Sequence, residues 1–281
     1  MIAQLALLMK TLQHIILIAI FLLPSALFAG GNLFPLGARN AGICRSSTAL
    51  TGFWNILNNQ AGLATLKNPA AGISYESKFS LNQLSNKTVA IAYPTGAGVL
   101  GIDFNHFGYQ QYNEMKVGLV YARAFGKYLR IGLQLDYLQT TLGQGYGSKK
   151  NITFELGVQS DISNEVTLGA YVYNPIRVKF SDYADERVPA IIRFGLTWHF
   201  SESFLATVEA EKSSFYPKVI IRGGLEYSLK KKFFMRTGFS SGEEVFAIGF
   251  GIHIKRMQFD IAAIMHQTLG FSPQASLSYA F

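Results

Sequence analysis

Leu129-Arg130-Ile131-Gly132-Leu133-Gln134-Leu135-Asp136-Tyr137 alternates without a break. Its odd positions carry Leu, Ile, Leu, Leu and Tyr, and its even positions carry Arg130, Gly132, Gln134 and Asp136. A period of two places these sets on opposite faces of a β-strand. The same text recurs on both sides. Upstream it gives Val89, Ile91, Tyr93 and Leu100, Ile102, Phe104; downstream it gives Ile192, Phe194, Leu196, Trp198, Phe200 and Phe246, Ile248, Phe250, Ile252, ending on Ala275, Leu277, Tyr279, Phe281. The intervening positions are polar or glycine almost everywhere. Val117–Phe125 fits less well, because Arg123 falls on the apolar face; a membrane-edge position or a bulge is expected there.

The pattern predicts fourteen strands, at 71–80, 87–93, 98–107, 115–125, 127–139, 150–160, 165–173, 189–200, 203–211, 217–228, 231–240, 244–254, 256–266 and 273–281. Most have the roughly 9–11 residues of a tilted membrane-spanning strand, and an even number suits a single-chain outer-membrane barrel with both termini in the periplasm. Every second connection, from the one after the first strand, is long, at about 7, 7, 10, 15, 5, 4 and 6 residues. The other set is mostly short, as periplasmic turns are.

A soluble barrel turns apolar residues inward and a membrane barrel turns them toward lipid. Barrel width grows with strand number, and about eight strands already fill their interior with side chains. Gly101, Gly118, Gly132, Gly157, Gly169, Gly195, Gly224, Gly249 and Gly251 could not fill a fourteen-stranded interior. The polar and glycine face therefore lines a lumen or admits a plug. Tyr93, Tyr121, Phe125, Tyr137, Trp198, Phe200 and Tyr227 sit near strand ends, as an aromatic girdle requires. The expected fold is all-β: a 14-stranded antiparallel transmembrane β-barrel over 71–281.

Composition agrees. Of 281 residues, 49% are apolar and 14% aromatic but only 15% charged, against about 25% charged in soluble domains. One cysteine excludes an internal disulfide framework. Met1–Ala29 has a basic start at Lys10, an apolar run at Ile15–Leu23, then Pro24 and the small-residue stretch Ala26–Ala29. It reads as a signal peptide, 1–29, cleaved after Ala29. No later run of 18 apolar residues occurs, so a helical membrane bundle is excluded. The net charge of +8 is spread over lumen and rims without a patch. Attraction to anionic lipid headgroups explains it, and nucleic acid is not expected.

Inward positions carry a charge network. Pairing around Ser201-Glu202 places Arg193 opposite Glu209 and His199 opposite Ser203; Glu209 also faces Arg222, and Glu226 faces Arg236. The bland reading is mutual neutralisation, and the functional one is a grip on a plug or a polar gate. His199, His253 and His266 have no spacing that supplies a metal set or a nucleophile–base pair. No catalytic residue, metal or cofactor is expected.

Residues 30–70 break the alternation. They hold Gly37-Ala38-Arg39-Asn40-Ala41-Gly42, then Phe53-Trp54, then Asn59-Gln60-Ala61-Gly62-Leu63-Ala64. Small, amide-rich residues with a few aromatics suit a compact N-terminal hatch inside the barrel, because Phe53, Trp54 and Leu57 need a surface to bury against. These motifs resemble the start of outer-membrane proteins related to the long-chain fatty-acid transporter (FadL) family, and within them the Bacteroidota PorV/PorQ type associated with type IX secretion. Gln60 stands where that pattern usually has Pro, and Ile43-Cys44-Arg45 replaces its Met-Gly-Gly stretch.

The resemblance implies two non-enzymatic functions. One is a channel for hydrophobic or amphipathic small molecules. The other is an interaction component or shuttle of type IX secretion that holds secreted cargo proteins. The recognition surface would then be the longest outside loop, with Arg177, Asp182, Tyr183, Glu186 and Arg187. Tyr279 and Phe281 look like the terminal signal that such barrels present to the barrel assembly machinery. The implied location is the bacterial outer membrane, in contact with its lipid.

Overall fold

The computed structural model describes residues 36–143, 147–179, 187–242 and 244–281. The expected signal peptide lies outside the described residues, as do hatch residues 30–35 and loop residues Asp182, Tyr183 and Glu186.

Fourteen strands form: β1 Ala70–Ser77, β2 Ser85–Thr95, β3 Gly98–Tyr109, β4 Tyr112–Phe125, β5 Leu129–Leu142, β6 Gly147–Asp161, β7 Val166–Tyr173, β8 Ile191–Ser201, β9 Phe204–Ser213, β10 Ile220–Leu229, β11 Phe233–Ser240, β12 Glu244–Ile254, β13 Met257–His266 and β14 Gly270–Ala280. Each pairs antiparallel with its sequence neighbours, and β1 pairs with β14 (Ile73 opposite Leu277), so the sheet closes and has no edge.

The surface is that of a membrane barrel. Outward Phe194 is 62% exposed, whereas inward Glu209 is 1% exposed. Ile73, Leu100, Leu133, Ile152, Val208 and Phe259 share the outer band, and Asp103, Gln134, Thr153, Arg222 and Asp260 are buried on the inner face. Only a lipid-facing exterior accommodates an apolar band of this extent. Among the described residues no helix is long and apolar enough to cross a membrane; the crossing is made by strands.

One expectation needs correction. Strands β4 to β6 run further than the alternation predicts, so the connection after β3 shrinks to Gln110-Gln111 and that after β5 to residues 143–146. Beyond Lys116 and Leu138 the ladder continues with both faces polar, as at Asn113, Gln139, Thr141 and Lys150, and a polar ladder carries no hydrophobic period. Of the two places expected for Arg123, the edge position is the one observed, with no bulge: β4 pairs with β5 unbroken from Tyr112 to Phe125. Arg123 stands two residues from the strand end, its guanidinium 5.5 Å from the Phe125 ring centroid, an edge position where its charge reaches the interface.

The segment before β1 fills the interior. A short helix, Ala38–Gly42, is followed by two 3₁₀ helices, Phe53–Leu57 and Gln60–Thr65. Gly37 (φ +95°) and Gly52 (φ +120°) precede the first two, in a backbone region that L side chains avoid. Leu36, Phe53, Trp54, Ile56, Leu57 and Leu63 pack on the small inward residues Ala70, Ala90, Ala92, Val99, Val120 and Ala122. Each large side chain so buried contributes about 1.5–3 kcal/mol. The wall glycines are where the hatch touches the sheet. A Cβ at Gly101 would lie 2.9 Å from Ile56 Cδ1, one at Gly224 2.5 Å from Ile43 Cβ, and one at Gly249 2.9 Å from the Gly42 Cα.

Candidate functional site

The candidate site is the interior, where hatch and wall meet in four charged groups. In the first, Arg39 forks onto Glu226 through Nε and Nη2, both at 2.9 Å. Glu226 also accepts from Arg236 Nε at 2.6 Å, and Arg236 Nη1 donates to Asp260 at 2.7 Å. In the second, Glu211 accepts from Arg193 Nε at 2.6 Å and from Arg222 Nη1 at 3.0 Å. Arg222 Nη1 also reaches Glu209 at 3.3 Å, and Glu209 accepts from the hatch amides of Ser47 (3.0 Å) and Thr48 (2.9 Å). In the third, hatch Arg45 donates to Glu76 at 2.6 Å and to Glu244 at 2.8 Å. Charge-assisted bonds of this kind are about twice as strong as neutral ones.

The expected network residues thus come together, with one change of register. Arg193 lies opposite Glu211, not Glu209, and His199 opposite Leu205, not Ser203. Ser201 pairs with Phe204, a one-residue irregularity follows between Ser201 and His199, and from there the pairing runs two residues away from the sequence register. A slip of two keeps every side chain on its face, so Arg193 Nε still stands 3.9 Å from Glu209 Oε1. Glu226 opposite Arg236 and Arg222 opposite Glu209 are as the sequence register places them. Arg39, Arg45, Glu76, Glu211, Glu244 and Asp260 were absent from the sequence-derived network. Glu76, Glu211 and Asp260 occupy inward positions of their strands and were recoverable from alternation; the hatch arginines were not.

The hatch motif seats against the other side of the wall. Asn59 caps the second 3₁₀ helix, accepting from Ala61 N at 3.2 Å, while its Nδ2 donates to Thr48 O at 2.7 Å and to Val158 O and Ala170 O at 3.3 Å. Gln60 donates to Gln134 Oε1 at 2.7 Å and to Glu155 Oε2. Proline has no such donor, so Gln60 gives this chain a wall contact that the resembled pattern lacks. Ala61 and Leu63 are fully buried, and a Cβ at Gly62 would meet Leu50 O at 2.7 Å.

The fourth charged group lies beside Gln60. Lys116 Nζ is 2.8 Å from Glu155 Oε1 and 3.7 Å from Asp136 Oδ1; Tyr171 OH donates to Glu155 at 2.8 Å. Toward the long-loop end, inward Tyr171, Tyr173 and Ile191 cluster with Val188, and Tyr112, Leu138 and Val178 pack against them. These are apolar or aromatic positions on the face that alternation reserves for polar residues. Val178 and Val188 belong to the β7–β8 loop, which folds back through a Val188 N to Val178 O bond of 2.9 Å. Arg177 and Arg187 stand at its base, Arg187 Nη1 donating to Arg177 O at 3.3 Å.

At the short-turn end a cavity of about 320 Å³ is lined by Arg39, Thr51, Thr65, Arg130, Asp161 and His199 among others. Among the described residues no group of His, Cys, Asp and Glu could hold a metal ion. Tyr279 and Phe281 lie outward at the same end, rings edge to face at 5.0 Å.

No family model matches the sequence, and no curated protein matches it. Solved structures do. The chain is similar to the CymD monoaromatic hydrocarbon channel (TM-score 0.70, 11% identity, covering 90% of this chain and 99% of that one). It is similar to the toluene transporter TbuX of Ralstonia pickettii (0.68, 14%, 89% and 99%). A FadL homologue of Pseudomonas aeruginosa gives 0.64 at 10% identity, covering 88% and 99%. At such identities the likeness is one of fold, and this chain has the fold of the FadL-type outer-membrane channels: a closed fourteen-stranded barrel with its N-terminal segment lodged inside.

Proposed function

We propose that the protein is a non-enzymatic channel of the bacterial outer membrane that admits hydrophobic or amphipathic small molecules. Its termini and short turns would face the periplasm and its longer connections the outside, with Tyr279 and Phe281 serving as the assembly signal. The observation that carries this reading is the cluster of Tyr171, Tyr173, Val188 and Ile191 on the inner face at the long-loop end of the barrel. Apolar and aromatic side chains with a few convergent polar groups are the surroundings that a small apolar ligand needs. Fold likeness to channels for monoaromatic hydrocarbons and toluene supports the same reading. The hatch closes the middle of the lumen, so passage requires the ligand to move past it or through the wall.

The secretion alternative draws on the sequence resemblance and on the β7–β8 loop, whose residues Asp182, Tyr183 and Glu186 lie outside the described part. The test is uptake of labelled toluene and labelled oleate into vesicles containing the protein. Entry several-fold faster than into empty vesicles is expected; equal rates overturn the channel reading.

A further inference from the structure

Three of the four interior charged groups balance, and the fourth does not. Arg39 and Arg236 face Glu226 and Asp260; Arg193 and Arg222 face Glu209 and Glu211. Arg45 faces Glu76 and Glu244, which are also the acidic neighbours of Lys78. Around Lys116, however, stand three carboxyl groups, Asp103, Asp136 and Glu155, the last two hydrogen-bonded to each other, so that acids still outnumber the one cation. One row nearer the long-loop end, Glu114 and Lys149 flank Thr140 and bring one charge of each sign.

The excess has a shape. Asp103, Gly118 and Asp136 are aligned across β3, β4 and β5. Gly118 has no side chain, and Asp103 Oδ2 and Gln134 Nε2 lean over it into the space a Cβ would take. Asp103 is 1% exposed, yet neither carboxylate oxygen has a hydrogen-bond partner. Asp136 is fully buried; its Oδ1 accepts from Gln134 Nε2 at 2.7 Å, and its carboxyl group shares a hydrogen bond with that of Glu155. A separate group points the same way: the Tyr173 hydroxyl is buried without a partner, its electrostatic neighbours being Asp136, Lys116 and Glu155. Buried carboxylate oxygens left unmatched are costly.

We infer that this notch binds the ammonium head of an amphipathic amine, whose apolar body lies among Tyr171, Tyr173, Leu138 and Ile191. An ammonium brings one positive charge and donors for the two free oxygens of Asp103, and tyrosine faces attract cations. Tyr171, bonded to Glu155 and part of the apolar cluster, joins the two halves of the site. The inference rests on the channel reading for the apolar body and adds the chemistry of the head.

The test is calorimetric titration of the full-length protein in neutral detergent, at pH 7 and low salt, with octylamine, octanol and octanoate. Octylamine is expected to bind at least about ten-fold more tightly than octanoate, and more tightly than octanol. Asp103→Asn is expected to weaken octylamine about ten-fold and to leave octanol within about two-fold. If Asp103→Asn does not fold, Tyr173→Phe, which removes one hydroxyl, takes its place and is expected to weaken octylamine by about three-fold. Octanoate binding as tightly as octylamine, or variants that leave octylamine unchanged, overturn the inference. Octanol binding with no advantage for the amine defeats the inference alone; octylamine binding without octanol binding or passage defeats the channel reading alone.

Discussion

The two sides of the barrel interior hold the hatch by different chemistry. Along β8 to β14 and β1 ionic contacts join the apolar ones: Arg39 to Glu226, Arg45 to Glu76 and Glu244, and the amides of Ser47 and Thr48 to Glu209, beside Ala38, Ala41 and Cys44 packed with Ala247, Ala262 and Ile264. Along β2 to β7 the contacts are apolar and amide: Ile56 against Gly101, Trp54 and Leu63 in the alanine-lined cluster, and Asn59 and Gln60 bonded to the wall. On the ionic side the charges balance. On the amide side carboxyl groups outnumber cations beside an aromatic cluster. An interior serving only to lock a plug has no use for that asymmetry; an interior that receives a ligand on one side does.

The largest effect is expected from breaking the ionic side. Arg45→Met takes from Glu76 and Glu244 the guanidinium that bonds both, and loss of one partner of a buried pair costs about 3–5 kcal/mol. The urea midpoint should fall accordingly. Cys44 gives a second readout, since burial pushes its thiol up to about 12 and only the thiolate reacts. Maleimide should ignore Cys44 in the parent protein at pH 8 and label it in the variant. Breaking the apolar side comes next: Trp54→Ala should cost about 3–4 kcal/mol by the same measurement. Gln60→Leu removes the donor to Gln134 while Glu155 keeps Lys116 and Tyr171, so about 1–2 kcal/mol is expected. Smallest is Lys231→Ala. Lys231 holds the Glu202 carboxyl below the usual range from a fully exposed turn, so the variant should let that carboxyl titrate nearer its ordinary value and leave the urea midpoint in place.

The strands and their inside-out sense were legible because lipid and lumen impose opposite demands on successive residues, as in Leu129–Tyr137. The hatch was legible as a break in that text and through Trp54, too large to leave unburied. Its partners were not, because Arg45 meets Glu244 across 199 positions of chain and nothing local encodes the encounter. The slip at Arg193 has a smaller cause: alternation fixes the face of a residue and not its partner, and the β8–β9 turn, where Ser201 pairs with Phe204, sets the register. The acid notch was hidden differently: Asp103, Lys116, Asp136 and Glu155 each look like ordinary inward polar residues, and their imbalance shows only when four strands are set side by side.

The two tryptophans give the most direct test of the architecture. Trp198 faces outward and is 47% exposed, while Trp54 in the hatch is 4% exposed. In bilayers of lipids brominated on the acyl chains, a Trp54→Phe variant, retaining Trp198, should lose most of its fluorescence, and a Trp198→Phe variant, retaining Trp54, should keep most of it. Quenching of Trp54 as deep as that of Trp198, or a Trp198 indifferent to bromine, would contradict a lipid-facing wall wrapped around a seated hatch.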